Sequence, residues 1–214
     1  MIIPKLHYCS TGESVQQHLD HIQKACTAGV ELIQLGTTGV KKKQLDALAK
    51  EALKLTAHYQ TRLIINCNYR LAREIKADGL YFDDIKQYFS KARKELYTWQ
   101  SLGAAAHTLQ ECEALLKAEV DYIVLGPFRL PQKNEPTPGV LGQNGYSLIT
   151  EALNTETPIL AFGEITTADI NELIDNGVSG ILLSNELTTD FNQVRTYNQL
   201  LNASATEEQR HSFE

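Results

Sequence analysis

The feature that most constrains this chain is a repeat. Short apolar runs rich in β-branched residues alternate with longer stretches of helical period, and eight such pairs can be traced. Strands alternating with helices in this way predict βα units around a parallel sheet. The strand runs are Leu6–Cys9, Val30–Leu35, Arg62–Asn66, Gly79–Phe82, Leu102–Ala106, Tyr122–Leu125, Pro158–Phe162 and Gly180–Ser184. Unbroken apolarity in Ile123–Leu125 and Ile181–Leu183 suits strands covered on both faces. Between the runs, Val15, Leu19, Ile22 and Cys26 share one helical face, as do Leu45, Leu48, Ala52 and Leu55. Thr108 with Glu111 predicts a capping box, and Gly177 is placed to end a helix in the left-handed conformation. The junctions Ala28-Gly29-Val30, Ala77-Asp78-Gly79 and Asn176-Gly177-Val178 repeat the same module.

Eight units with short connections predict an α/β fold, a single closed (β/α)8 TIM barrel. An open doubly wound sheet would carry a G-x-G-x-x-G turn after its first strand, and none follows Leu6–Cys9. The 214 residues are expected to form one domain over 1–201, followed by a polar tail over 202–214. A net charge of -6 argues against the basic face that nucleic acid requires, so small molecules are the expected partners. No stretch approaches the ~20 uncharged apolar residues of a membrane helix, and the first residues run straight into strand-like sequence. No membrane association and a cytoplasmic location are therefore expected, with a homo-oligomer left open. Cys9, Cys26, Cys67 and Cys112 form no C-x-x-C pair, so neither a disulfide framework nor a zinc site is indicated, and buried free thiols are expected.

In such a barrel the active site is built at the C-terminal ends of the strands. The residues there are Cys9 and Ser10, Gln34 and Gly36, Asn66 and Cys67, Asp83 and Asp84, His107, Gly126 to Lys133, Gly163 and Glu164, and Ser184 and Asn185. The longest connection on that face is Gly126–Gly145, where function should concentrate.

Several of these runs carry a family resemblance. Val30-Glu-Leu-Ile-Gln34-Leu35, Leu63-Ile-Ile-Asn66, Asp121-Tyr-Ile-Val-Leu-Gly126-Pro127-Phe128, Ala161-Phe-Gly163-Glu-Ile165 and Gly180-Ile-Leu-Leu-Ser184 resemble, in order and spacing, the strand motifs of thiamin phosphate synthase. Gly126-Pro-Phe-Arg129, with Leu141-Gly142 and Gly145-Tyr146, is the most specific piece. The resemblance implies an enzyme that joins hydroxymethylpyrimidine diphosphate to a thiazole phosphate, expelling diphosphate and passing through a pyrimidine cation. It implies Mg2+ and cationic side chains for the leaving group's growing charge. It also implies that glycine-rich turns after the last two strands hold a phosphate through backbone N–H groups. On this basis Gln34, Asn66 and His107 are the catalytic candidates. Gly126, Arg129, Lys133, Gly142, Gly163 and Ser184 are the candidates for binding substrate phosphate, and Asp83 and Asp84 for the metal.

The chain departs from that pattern where the family bears charge. The family's Gln-x-Arg-x-Lys appears as Gln34-Leu35-Gly36-Thr37-Thr38, without either cation, and its Asn-Asp as Asn66-Cys67. The second metal acid falls at Lys86, with Asp83 and Asp84 nearby. The serine of the fifth-strand motif is Ala105, and the phosphate loop is Pro131-Gln132-Lys133-Asn134-Glu135. The Gly-Gly turn after the seventh strand is Gly163-Glu164. Two unit charges ~5 Å apart repel by roughly 3 kcal/mol at an effective dielectric of ~20, so an inward Glu164 would oppose a bound phosphate.

Each candidate has a structural reading beside the functional one. Gln34 and Asn66 orient a substrate or cap neighbouring loops; Asp83 and Asp84 form a shifted Mg2+ site or stay solvated. His107 touches the substrate ring or is held by the capping turn. His18 and His21 share a helix face without a carboxylate partner, which argues against a metal. Arg129, planar and preceded by Gly-Pro-Phe, suits phosphate oxygens better than the Lys41–Lys43 run. Two other functions stay open: a paralogue that has lost catalysis but binds thiamin-related phosphates, and a thiazole tautomerase, whose catalytic histidine would fall at Pro127.

Overall fold

The computed structural model describes residues 2–84, 89–130 and 139–202, with residues 89 and 90 described for their backbone alone. Lys86, Lys133 and the tail beyond residue 202 lie outside the described residues.

The strands are β1 (Leu6–Cys9), β2 (Leu32–Leu35), β3 (Arg62–Asn66), β4 (Gly79–Phe82), β5 (Ser101–Ala106), β6 (Tyr122–Leu125), β7 (Ile159–Phe162) and β8 (Gly180–Leu183). They are parallel, run in sequence order and close when β8 pairs with β1, Leu6 opposite Ile181 and Tyr8 opposite Leu183. The helices that follow them are α1 (Val15–Ala28), α2 (Leu45–His58), α3 (Tyr69–Glu74), α4 (Phe89–Glu95), α5 (Leu109–Lys117), α6 (Gly142–Leu153), α7 (Ile170–Asp175), α8 (Asn185–Thr188) and α9 (Val194–Leu200). The predicted closed (β/α)8 barrel is the observed fold.

The strand ends differ from expectation by one or two residues: β5 begins at Ser101, β7 at Ile159, and β8 ends at Leu183, while at β2 a turn explains the difference. Val30, predicted to begin the second strand, instead donates its N–H to Ala25 O and closes α1, with Gly29 at φ 98 as the left-handed cap. The capping box at Thr108 is only half formed. Thr108 Oγ1 accepts from Glu111 N, but the Glu111 carboxylate reaches His107 N instead of Thr108 N. Gly177, at φ 82, does close the turn after α7.

Successive strand residues point to opposite faces, and this sorts the apolar residues into two cores. Ile33, Leu35, Leu63, Ile65, Ile123 and Leu125 face outward and are covered by helix residues such as Ile22, Leu48, Ala52 and Leu115. Leu32, Ile64, Tyr81, Ala105, Tyr122, Val124, Leu160 and Leu182 face inward and fill the barrel. Each fully buried aliphatic side chain contributes roughly 1.5–3 kcal/mol. The interior is fitted around Tyr122: a Cβ on Gly103 would lie 2.1 Å from the Tyr122 ring, so β5 carries glycine and alanine on the face opposite that ring. His7 packs edge-on against the same ring, with centroids 5.2 Å apart. Complete burial, with the Arg62 charge adding to it, lowers the His7 pKa to about 3, so the ring stays neutral.

Free thiols are not uniformly buried, as had been expected. Cys26 and Cys112 are, but Cys67 is exposed, because it sits in the left-handed region (φ 53) where the chain turns away from the sheet after β3. His18 is a fully buried bracket. Its Nε2–H donates to Thr38 O (2.8 Å), so Nδ1 accepts from Ser10 Oγ (3.0 Å), which in turn accepts from Gly36 N (3.0 Å). The loops after β1 and β2 are thereby locked together.

On the opposite side of the barrel mouth, Arg129 ties the loop after β6 to the turn after β7. Its guanidinium pairs through both terminal nitrogens with Asp169 and lies 4.5 Å over the Phe128 ring. Burial alone would raise the Asp169 carboxyl; hydrogen bonds from Arg129 and Thr166 outweigh it and hold the group below the usual carboxylate range.

Two outcomes follow. Unfolded His7 takes up a proton near pH 6.5 while the folded ring resists to about pH 3, so stability is lost as pH falls through this window. Between pH 6.5 and 5 urea titrations should show a decline of roughly 2 kcal/mol that the His7→Leu variant lacks; equal slopes in both proteins would refute it. Arg129→Met, which leaves a nearly buried Asp169 without its cation, should cost ~1–3 kcal/mol. Combining it with Asp169→Asn should recover part of that loss in a double-mutant cycle.

Candidate active site

The same alternation that fills the barrel interior decides which residues reach its mouth. One inward step beyond the last core layer lie Cys9 on β1, Gln34 on β2, Asn66 on β3, Asp83 after β4, Glu164 after β7 and Ser184 after β8. All six line one cavity of about 350 Å3. Tyr81, Phe162 and Leu182 form its apolar wall, and Pro127, Arg129 and Leu130 its edge on the β6 side. A larger groove, about 920 Å3, lies between α1 and Thr188–Asn192, away from these strand ends.

Gln34 is 2% exposed, and its Oε1 is buried without a hydrogen-bond partner; so is Asn66 Oδ1 on the neighbouring strand. A buried unpaired acceptor costs about 1–3 kcal/mol, a cost that a ligand bringing N–H or O–H groups to both would remove.

Two of the glycines expected around a phosphate, Gly126 and Gly163, serve close backbone crossings here. Gly163, at φ 102, lets the turn after β7 pass within reach of the β6 loop; a Cβ there would lie 2.7 Å from both Arg129 O and Pro127 Cβ. Arg129 N donates to Gly163 O (3.1 Å) and Phe128 N to Phe162 O (2.7 Å), so the two loops run side by side. A Cβ on Gly126 would meet Phe162 O at 2.6 Å. Gly163 lines the cavity; Gly126 and Gly142 shape the loop from behind, Gly142 donating its N–H to Phe128 O.

His107 stands beside the cavity and outside its lining. Its Nδ1–H donates to Gly126 O (2.7 Å), and its ring meets Phe162 edge-on at 6.0 Å. Of the two aspartates, Asp83 lines the cavity and Asp84 does not. Cys67 Sγ donates to Asp83 Oδ1 (3.0 Å), so a soft thiol stands next to the hard oxygen. Among the described residues no three His, Cys, Asp or Glu side chains converge to hold a metal.

Two features of the charge pattern emerge only in three dimensions. Gly36, where the resemblance calls for arginine, passes so close to Ser10 that a Cβ would lie 1.8 Å from Ser10 O; the missing cation has no room. Glu186 was not among the sequence candidates. It lines the cavity, and its Oε2 accepts from Ser184 N at 2.8 Å, while Ser184 Oγ donates to Cys9 O at 3.1 Å. No strand alternation signals Glu186, since it depends on the turn that leaves β8. Tyr81 and Phe162, also missed, were legible: each lies one inward step before Asp83 and Glu164.

The comparisons with known proteins agree with this architecture. The family model described as thiamine monophosphate synthase matches residues 7–187. The chain is similar to a thiamine-phosphate synthase of Flavobacterium johnsoniae, 33% identical over 86% of this chain and 88% of that protein. It is also similar to one of Flavobacterium psychrophilum, 30% identical over 92% of this chain and 97% of that protein. Among solved structures, a thiamine phosphate pyrophosphorylase from Pyrococcus furiosus superposes with a TM-score of 0.77 over 92% of this chain and 95% of the other, at 21% identity. An orotidine 5'-phosphate decarboxylase from Pyrococcus horikoshii, TM-score 0.65 at 9% identity over 92% of this chain and 98% of the other, shares the fold alone. With one family model spanning all but the ends of the chain and relatives a third identical over most of its length, this chain belongs to the thiamine monophosphate synthase family.

Proposed function

We propose that this protein condenses hydroxymethylpyrimidine diphosphate with a thiazole phosphate, releasing diphosphate and forming thiamin phosphate, in the cavity at the strand ends. The observation that carries this is the pair of buried, unpartnered acceptors, Gln34 Oε1 and Asn66 Oδ1, set in a small apolar-walled cavity. Such a site suits a flat ring bearing N–H donors. Family relatives named for the same synthase along nearly their whole length support it. They favour it over the non-catalytic paralogue and over the tautomerase, for which Pro127 stands at the histidine position.

In this reading the carbon–oxygen bond to diphosphate breaks, its electron pair leaving with the diphosphate, and the thiazole nitrogen adds to the resulting pyrimidine-bearing cation. Gln34 and Asn66 orient the pyrimidine, and Tyr81, Phe162 and Leu182 exclude water from the cation. Asp83 and Glu164 face the developing positive charge with negative charge, where it is worth most in a site closed to water. His107 acts through Phe162 and Gly126, keeping the wall and the β6 turn in place. The phosphate rests against the turns at Gly163 and Ser184. Asp83 supplies one hard oxygen, which fits an Mg2+ ion carried in by the diphosphate better than a preformed protein site, since Mg2+ uses one or two carboxylates together with substrate phosphates. When bound, the ion would offset the leaving group's charge. The protein would work on small phosphorylated heterocycles in the cytoplasm; no described helix is long and apolar enough to cross a membrane.

Purified protein supplied with both substrates and Mg2+ should form thiamin phosphate, detectable by chromatography of its fluorescent oxidation product. Gln34→Ala and Asn66→Ala should each lower kcat/KM by roughly 10- to 100-fold, as loss of a buried hydrogen bond to substrate does, with the unfolding midpoint preserved or raised. An inactive wild-type protein would overturn the proposal.

A further inference from the structure

In barrels of this kind phosphates are commonly held by the loops after the seventh and eighth strands. Here the backbone donor at the end of β8 is already engaged: Ser184 N–H is bonded to Glu186 Oε2 at 2.8 Å, within the chain itself. Both residues line the cavity whose floor carries the nearly fully buried Gln34 with its unpartnered Oε1, an independent sign that a ligand binds there. A carboxylate oxygen on a backbone N–H is chemically the same contact that a phosphate oxygen would make, so the two compete for one donor.

The surroundings do not favour the incoming anion. Glu164 lines the same cavity beside Gly163, and Asp83 lines it from β4. Arg129 is the one cation among the described lining residues, and its guanidinium is paired with Asp169 and also donates to Glu164 O at 3.0 Å. A phosphate approaching Ser184 must therefore displace one carboxylate and settle near a second, with the nearest guanidinium already neutralised.

We propose that Glu186 is a specificity-determining residue that occupies the phosphate's place at the end of β8 and so compresses the protein's discrimination between the phosphorylated thiazole and its free alcohol. The inference rests on the synthase reading and deepens it by naming which part of the second substrate Glu186 governs. A neutral hydroxyl can coexist with the Glu186–Ser184 contact, donating its O–H to the carboxylate, whereas a dianionic phosphate cannot. Glu186 touches neither Gln34 nor Asn66 in the hydrogen-bond pattern, so the pyrimidine half of the reaction should be insensitive to it.

The test compares wild type with Glu186→Ala, which frees the Ser184 donor, and with Glu186→Gln, which keeps an acceptor of the same shape but removes the charge. Calorimetry with thiazole phosphate, and with inorganic phosphate as a minimal probe, should show affinity rising by at least roughly tenfold in Glu186→Ala and by less in Glu186→Gln. Affinity for the thiazole alcohol should stay within about twofold. In turnover, the ratio of kcat/KM for phosphate over alcohol should rise by the same factor, with KM for the pyrimidine diphosphate unmoved. Unchanged or weakened phosphate affinity in a folded Glu186→Ala protein would overturn the inference, Glu186 then being a brace for the β8 turn. The two ideas fail separately: tighter phosphate binding without any thiamin phosphate sinks the synthase reading alone, while turnover with an unchanged ratio sinks this one alone.

Discussion

Closure of eight short parallel strands into a barrel leaves each strand residue two destinations, the helix layer or the interior, and the strict alternation between them governs everything else in this protein. Inward residues must share a confined space, so a large one forces small ones around it. Tyr122 does this to β5, where Gly103 has no room for a Cβ and Ala105 follows on the same face. The same parity carries past the last core layer, and the next inward position on each strand opens into the mouth. Cys9, Gln34, Asn66 and Ser184 meet there because Leu32, Ile64 and Leu182 lie two residues earlier in the packed interior.

The mouth is then shaped less by side-chain reach than by how closely its loops pass one another. Gly36 against Ser10, Gly126 against Phe162 and Gly163 against Arg129 are crossings that a single Cβ would obstruct. At Gly36 this has a chemical consequence. A side-chain cation cannot be restored at that position without moving the loop that His18 and Ser10 hold, so the altered charge pattern is built into the backbone. Arg129 likewise has its charge committed by Asp169, itself fixed by two hydrogen bonds from Thr166.

The barrel was legible because its signals are local: strand runs, helix faces and glycine junctions each span only a few residues, and strand ends moved by one or two residues, at Val30 because the Gly29–Val30 cap claimed it. The cavity was legible in part for the same reason, since alternation alone brings Gln34, Asn66, Asp83, Glu164 and Ser184 to one mouth. What could not be read was pairing between residues far apart in sequence. Arg129 and Asp169 are separated by 40 residues, and nothing in either segment announces that the arginine is a brace. Glu186 was hidden for a different reason, because its role depends on the torsions of the turn after Ser184 and not on any period.

Two carboxylates of the cavity act in opposite directions at successive stages of the proposed reaction. Before bond cleavage, Asp83 and Glu164 repel the phosphate and diphosphate of the ground state and so weaken substrate binding. Once the carbon–oxygen bond has stretched, the same negative charges face a pyrimidine carrying positive charge and stabilise it. Only interactions stronger in the transition state than in the bound ground state accelerate the chemical step. A site whose described lining is poor in cations and rich in carboxylates therefore sacrifices KM and favours the cation on which turnover depends. On this physical view, the departures from the family's charge pattern are compatible with catalysis, because the charge moved from the binding term to the chemical one.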